Sequence, residues 1–396
     1  MSGRRALLGA GFGMAAGYVA VRLYQAVEQL RRPTYATTKD ATAYSRIRRS
    51  LEVAGTIRST AAFVAFAYGP LAARADRATK ALPVWIRPAG FIGLVALGSA
   101  LLELPVSFVE DYALERHFGL SDQSEGDWLG DYAKSALISM GLTALLAALF
   151  GFAVRRAPHR WPVLATVGVF PLFVAGNLIV PIYVMPLFNK FEPVTGSLED
   201  RIRRLASRFG VGDAAILRMD MSRQTRKANA FVTGIGHTHR IVLGDTLIEA
   251  FPENETTFVV AHELGHYVNK DTWRLIGLGE VLSLALFLIA NGAISERDRR
   301  RLHDRPLLIA RLYALMLITT QVLRPLLFAF SRSREWAADR FAIEATGEAS
   351  AGVSAFRRLR DQNLADDDPP LWYEIFFSSH PSLRSRIAAL ELSKNL

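Results

Sequence analysis

Apolar residues gather into seven runs along this chain, near residues 6–24, 59–73, 85–108, 134–154, 161–187, 273–293 and 307–330, separated by short basic connections and one long polar stretch. At about 1.5 Å of rise per residue, most of these runs cross a hydrocarbon core of about 30 Å, so the pattern predicts about seven membrane helices. The second run, AAFVAFAYGPLAA, is the shortest before Arg74 interrupts it, and its length also fits a re-entrant segment. The first run follows Arg4 and Arg5, which makes a cleaved signal peptide its rival reading. Gly9, Gly13 and Gly17 recur at four-residue spacing, a stripe that lets a neighbouring helix approach closely, and this favours a retained span.

The polar stretch, residues 188–272, is long enough for a small folded subdomain. Ser197 opens a capping-box-like S-L-E-D, and Leu198, Ile202, Leu205, Ala206 and Phe209 then recur at helical spacing up to Gly210. Three short segments, Ala215–Met221, Asn229–Ile235 and His239–Asp245, are rich in apolar and β-branched residues and predict strands, the last two forming a hairpin punctuated by Gly234 and Gly236. A helix from Glu255 onward is expected to run into the sixth apolar run near Trp273. The chain therefore divides into a membrane region of about five spans (1–187), a polar subdomain (188–272), a two-span hairpin (273–330) and a C-terminal helical segment (331–396).

Composition narrows the class. Hydrophobic residues make up 51% of the chain and the mean hydropathy is +0.18, too apolar for an ordinary soluble domain. Lys and Arg number 47 against 37 acidic residues, a net charge of +10 that short loops between spans account for. No segment resembles a nucleic-acid-binding module, and the sequence assigns no oligomeric state. There are 0 cysteines, which excludes disulfides, a thiolate nucleophile and Cys-ligated zinc. The expected location is a lipid bilayer crossed several times, the inner membrane of a bacterium or the endoplasmic reticulum of a eukaryote.

The chemistry centres on AHELGHYVNK (Ala261–Lys270). In this H-E-x-x-H pattern His262 and His266 stand one turn apart on one helix face, where both imidazoles reach one metal, and Glu263 lies beside them to activate a water. The pattern points to zinc-dependent peptide-bond hydrolysis, against the plainer reading of two histidines on a solvated helix. A catalytic zinc site needs a third protein ligand and an open position. Glu335, in SRSREWAADRFA, is the best placed, with Asp339 one turn on to accept a hydrogen bond from a ligating histidine. Two apolar runs separate Glu335 from His266, so a helical hairpin returns the chain to the face it left. A solvated helix of mixed charge remains the alternative for this segment. Near the C-terminus, SSHPSLRSRI places His380 before Pro381, as a helix-entry turn or as a hydrogen-bond partner for a tetrahedral oxyanion, with Arg386 supporting it or holding the substrate backbone.

These segments resemble those of the type I CAAX prenyl endopeptidases, integral-membrane zinc metalloproteases of the gluzincin type. EDYALERHFGLSDQ, PLFNKFEPVTGSLEDRI, NAFVTGIGHTHRIVLGDTLI, VVAHELGHYVNKD, SREWAAD and SSHPSLRSRI are each similar to family segments, in the family's order, over most of residues 100–396. The resemblance implies zinc ligands His262, His266 and Glu335, Glu263 as general base, Asp339 behind a ligating histidine, and His380 with Arg386 as transition-state partners. It also implies that Asn229 and Ala230 lie on an edge strand that pairs with extended peptide or membrane-protein substrates. The implied fold is mainly α, a bundle of about seven spans around a chamber, with a small α+β zincin-like catalytic subdomain. Glu280, in the sixth run, is expected to line that chamber, because an ionisable group at membrane depth needs water, a partner or a protein interior. Heat-shock-type membrane quality-control proteases share the H-E-x-x-H and S-R-x-x-E-x-x-A-D patterns with fewer spans, and a transporter or scaffold with a structural zinc is the alternative of another class. The resemblance implies a cytosolic site, whereas the basic connections at 74–84, 155–160 and 294–306 would themselves be placed inside by the positive-inside rule.

Overall fold

A computed structural model describes residues 38–84, 86–234 and 238–393; the first apolar run and its possible cleavage lie outside them. Helix α1 (Thr38–Tyr68) and α2 (Pro70–Ala78) are followed by the long α3 (Arg87–His117), α4 (Glu125–Arg156) and α5 (Trp161–Leu187). The polar stretch then folds as β1 (Phe191–Pro193), α6 (Ser197–Ser207), β2 (Ala215–Met219), β3 (Ala230–Thr233), β4 (Arg240–Gly244), α7 (Asp245–Ala250) and α8 (Glu253–Val268). After it come α9 (Asp271–Gly292), the short α10 (Glu296–Arg300), the long α11 (Pro306–Thr346), α12 (Ala349–Gln362), α13 (Leu371–Phe377) and α14 (Leu383–Ser393).

Among the described residues, α3, α4, α5, α9 and α11 are long and apolar enough to cross a membrane, and only 6% to 28% of the most apolar window of each is buried within the protein. Apolar surface on that scale needs lipid to cover it. These five coincide with five of the seven runs. The second run is divided at Gly69–Pro70, between the end of α1 and the start of α2, and is not among the five. At one end of the bundle the three basic connections meet: Arg87 pairs with Asp76 at 2.8 Å and Asp304 at 3.1 Å, and His159 faces Glu296 at 3.3 Å. α9 carries the chain from the subdomain at the opposite end to this one, and α11 carries it back.

The subdomain's sheet has the order β1-β2-β4-β3. β2 and β4 run parallel, and β1 and β3 pair antiparallel on the two flanks, leaving β3 at an edge. The hairpin of β3 and β4 and the amphipathic α6 fall where the sequence pattern placed them, with Leu198, Ile202, Leu205 and Ala206 buried. Ser197 does not cap α6; Gly196 takes that position with φ 86°, and the Ser197 hydroxyl donates to Glu253 instead. Leu198, Ile202, Ile241, Leu243, Phe258 and Leu264 share one core with Ala342, Val353, Phe356, Ile387 and Leu390, so the polar stretch and the C-terminal helices fold around a common interior.

The helix carrying the histidines does not continue into the membrane as the sequence suggested. α8 ends at Val268, Lys270 adopts a left-handed conformation (φ 55°, ψ 37°), and α9 starts afresh at Asp271. A non-glycine residue in that region is strained by about 1–2 kcal/mol, and the site shows what the break accomplishes.

Candidate active site

α8 brings His262 and His266 onto one face, their ring centroids 4.9 Å apart and mutually perpendicular. Between them in sequence, Gly265 lets α11 come close: a Cβ there would stand 3.1 Å from Ala338 Cα and from Phe341 Cδ1. That approach delivers Glu335, whose Oε2 lies 3.4 Å from His262 Nε2 and whose Oε1 lies 3.3 Å from His266 Nε2. The ligand atoms of the three residues all fall within 4.8 Å of one another. Glu335 Oε2 is buried and, among the described residues, accepts no well-aligned hydrogen bond, although it faces His262 Nε2 at 3.4 Å and the Arg386 guanidinium at 3.2 Å.

Each histidine's other nitrogen is already engaged. Asp339, one turn beyond Glu335, places Oδ1 2.8 Å from His262 Nδ1, and Asp271 places Oδ2 3.0 Å from His266 Nδ1. Carboxylates accept, so each Nδ1 carries its hydrogen and each Nε2 keeps its lone pair for the shared point. One buried and one half-buried imidazole, each with a carboxylate behind it and both facing the Glu335 carboxylate, are a donor set that fits a divalent metal. The electrostatics agree. Burial disfavours charge on His262, yet the carboxylates of Asp339 and Glu335 beside it outweigh that and raise it to about 9. Burial likewise opposes charge on His266, and Glu335 again raises it above the ordinary histidine value. This is a site that calls for positive charge.

The remaining residues are distributed around this point. Glu263 is half-buried, and burial pushes its carboxyl above the usual carboxylate range against the pull of His262 and His266. His380, with 60% of its side chain exposed, points Nε2 at Glu335 Oε1 from 3.3 Å, while its Nδ1 meets the Ser379 hydroxyl at 2.9 Å. Arg386 lies within the site beside Asp339 and Glu335. It is buried, donates twice to Asp339 (Nε to Oδ2 2.8 Å, Nη2 to Oδ1 2.6 Å), faces Glu335 Oε2 at 3.2 Å, and stacks over Phe356 at 4.3 Å. A guanidinium paired this way holds the two carboxylates in a fixed orientation. Ala230 opens edge strand β3, with Asn229 exposed just before it. Glu280 lies on α9, about 14 Å along the helix from Asp271, with its Oε1 buried and, among the described residues, without a hydrogen bond.

Asp271 is the residue that sequence reasoning did not single out. Its signal was the final residue of VVAHELGHYVNKD, five positions after His266, but within one continuous helix it would have pointed away. The left-handed turn at Lys270 folds it back to His266. Asp271→Asn, which keeps shape and loses charge, is expected to weaken metal affinity by about 10- to 100-fold in an equilibrium titration; unchanged affinity would reduce Asp271 to the first residue of a helix.

A multispan membrane bundle with such a two-histidine, one-glutamate set at one end defines an integral-membrane metallopeptidase. Comparison with known proteins specifies it: residues 193–393 match the model of peptidase family M48, and residues 27–190 match the CAAX prenyl protease N-terminal region of five membrane helices. The chain belongs to peptidase family M48. It is 31% identical to the uncharacterized metalloprotease YhfN of Bacillus subtilis, over 78% of this chain and 75% of that protein. It is 27% identical to CAAX prenyl protease 1 of Saccharomyces cerevisiae, over 76% and 71% of the two chains. In fold it is similar to the crystal structure of S. mikatae Ste24p, with a TM-score of 0.80 at 24% identity and 96% coverage of each chain. The protein is thus a multi-pass membrane metalloendopeptidase, and the transporter and scaffold readings are not favoured.

Proposed function

We propose that the chain is a zinc endopeptidase whose ion is held by His262, His266 and Glu335, and that it cleaves extended peptide segments laid along β3. The observation that carries this reading is the buried Glu335 carboxylate, whose Oε2 faces His262 Nε2 and whose Oε1 faces His266 Nε2, with each imidazole oriented from behind by a further carboxylate. Two imidazoles and a carboxylate suit zinc, which supplies a Lewis acid and lowers the pKa of water. The chain's own residues do the rest. Glu263 accepts a proton from the attacking water and returns it to the departing amine. His380, exposed at the mouth of the site, donates from Nε2 to the oxygen that becomes negative in the tetrahedral intermediate. Arg386 positions Asp339 and Glu335, and Asp339 and Asp271 fix the two imidazoles. Residues 188–272 and 331–396 act as one catalytic unit around their common core, with 273–330 as the hairpin that joins them.

Substrate strands add to β3 through main-chain hydrogen bonds, with Asn229 and Ala230 at the start of the pairing edge. The relatives named CAAX prenyl protease make prenylated C-termini the first substrate class to test. Metal analysis combined with cleavage of matched prenylated and unprenylated peptides, by wild type and Glu263→Gln, tests metal, reaction and substrate together. Metal-free but active protein would overturn the reading, and equal cleavage of both peptides would remove the prenyl requirement.

Glu280 is proposed to face a hydrated interior between the spans, since a carboxylate oxygen with no partner among the described residues is costly in lipid. The chain has 0 cysteines, so Glu280→Cys is expected to be labelled by a membrane-impermeant thiol reagent in reconstituted protein. Complete protection would count against a wet interior at that depth.

A further inference from the structure

Among the described residues, the free edge of β3 is open at one end and closed at the other. The Gly244 N–H donates to the Asn229 C=O at 2.9 Å, and the register pairs Ala230 with Leu243 and Val232 with Ile241. In an antiparallel ladder such opposite pairs alternate, so Asn229, Phe231 and Thr233 turn their main-chain groups toward β4. Ala228, Ala230 and Val232 turn theirs outward. At Ala228 both outward groups are taken: its N–H donates to Asn363 Oδ1 at 2.8 Å, and Asn363 Nδ2 donates to its C=O at 3.2 Å. The carboxamide copies one residue of a paired strand. Among the described residues no such partner meets Ala230 or Val232 on that edge.

The plug is firmly held. Asn363 closes α12 with its N–H on the Leu359 C=O, and the neighbouring Gln362 donates to the Arg226 C=O at 2.8 Å. Leu364 is fixed in a left-handed conformation (φ 48°) by burial against Tyr44, Leu114, Phe118 and Leu120. From the other side, Lys227 pairs with the buried Glu115 at 2.7 Å and donates to the Tyr44 hydroxyl at 2.8 Å, tying the segment before β3 to α1 and α3. Thr225 and Arg226 both donate to the Leu120 C=O.

We propose that Asn363 is the end stop of the peptide cleft and therefore a specificity-determining residue, an inference that rests on β3 being the substrate edge. A strand paired with Ala230 and Val232 finds its next pairing slot, about 7 Å further along, filled by the Asn363 carboxamide. Beyond that point the peptide must end or turn out of the sheet. The enzyme should thus tolerate long extensions at one end of the cleaved segment and only short ones at the other.

The test uses full-length, metal-loaded protein and unprenylated fluorogenic peptides with one cleavable core, lengthened one residue at a time at either end. Wild type is expected to lose about tenfold in kcat/KM past a limiting length at one end only, the worth of a main-chain hydrogen bond or two. Asn363→Ala should flatten that drop, and Asn363→Asp, which keeps an acceptor for the Ala228 N–H but frees its C=O, should flatten it in part. No length limit in wild type, or an equal loss across all lengths in both variants, overturns the end stop and leaves Asn363 structural. N-methylation along the peptide separates the two levels. A penalty at alternate residues supports pairing with β3, whereas no penalty anywhere overturns the substrate-edge reading and the end stop with it.

Discussion

Glu263→Gln is expected to lower peptide hydrolysis by about 10^3-fold or more while the protein keeps its full complement of metal. The carboxylate follows His262 directly on α8 but is not one of the three residues whose ligand atoms converge. It is half-buried among charged partners rather than free in solvent. Glutamine preserves its volume and hydrogen-bonding reach and removes its capacity to take a proton. Activity and metal binding should therefore separate, which no ligand substitution can achieve. Turnover of a fluorogenic peptide and metal stoichiometry by elemental analysis, on the same preparation, check it. Retained turnover at full occupancy would show that another group handles the proton.

What could be read from the sequence divides along a physical line. Features enforced locally were legible. The long apolar runs must be helices because lipid leaves no other way to satisfy the backbone, and the periodicity of Leu198, Ile202 and Leu205 fixes the buried face of α6. The i, i+4 spacing of His262 and His266 does the same for the metal-facing side of α8. Glu335 was legible because two spans return α11 to the same end. Features decided by tertiary contact were not. β1 is three residues long and contains Pro193, too short to show alternation, and it exists because Met219, Arg218 and Leu217 offer it an edge. The break at Lys270 carries no Gly or Pro to announce it, and the Asp271 to His266 contact accompanies it. Ser197 looks like a cap by pattern, but Glu253, 56 residues away in sequence, takes its hydroxyl. The pairing of Arg386 with Asp339 and its stacking on Phe356 were not legible either, because nothing in sequence brings those residues together.

Glu335→Ala is expected to lose bound metal altogether, and with it both activity and the stability that metal binding contributes. Glu335 is the only one of the three converging residues carried by α11, and its two oxygens face His262, His266, His380 and Arg386 at 3.2 to 3.4 Å. Removing it leaves two imidazoles, and two protein ligands hold zinc weakly. It also withdraws negative charge from a pocket where Arg386 is buried, though Asp339 still pairs with that guanidinium at 2.6 Å, so the fold should survive. A ligand present at 1,000 times its Kd stabilises the folded state by about 4 kcal/mol, and that increment should be missing from the variant. Thermal unfolding with and without chelator reads it directly: wild type should lose several degrees on chelation, and Glu335→Ala should start at the lower value and not respond. His262→Ala and His266→Ala should behave alike, since each also leaves two ligands. If Glu335→Ala instead retains stoichiometric metal, a different side chain completes the set. His380 is then the first to examine, because its Nε2 already stands 3.3 Å from the Glu335 oxygen it would replace.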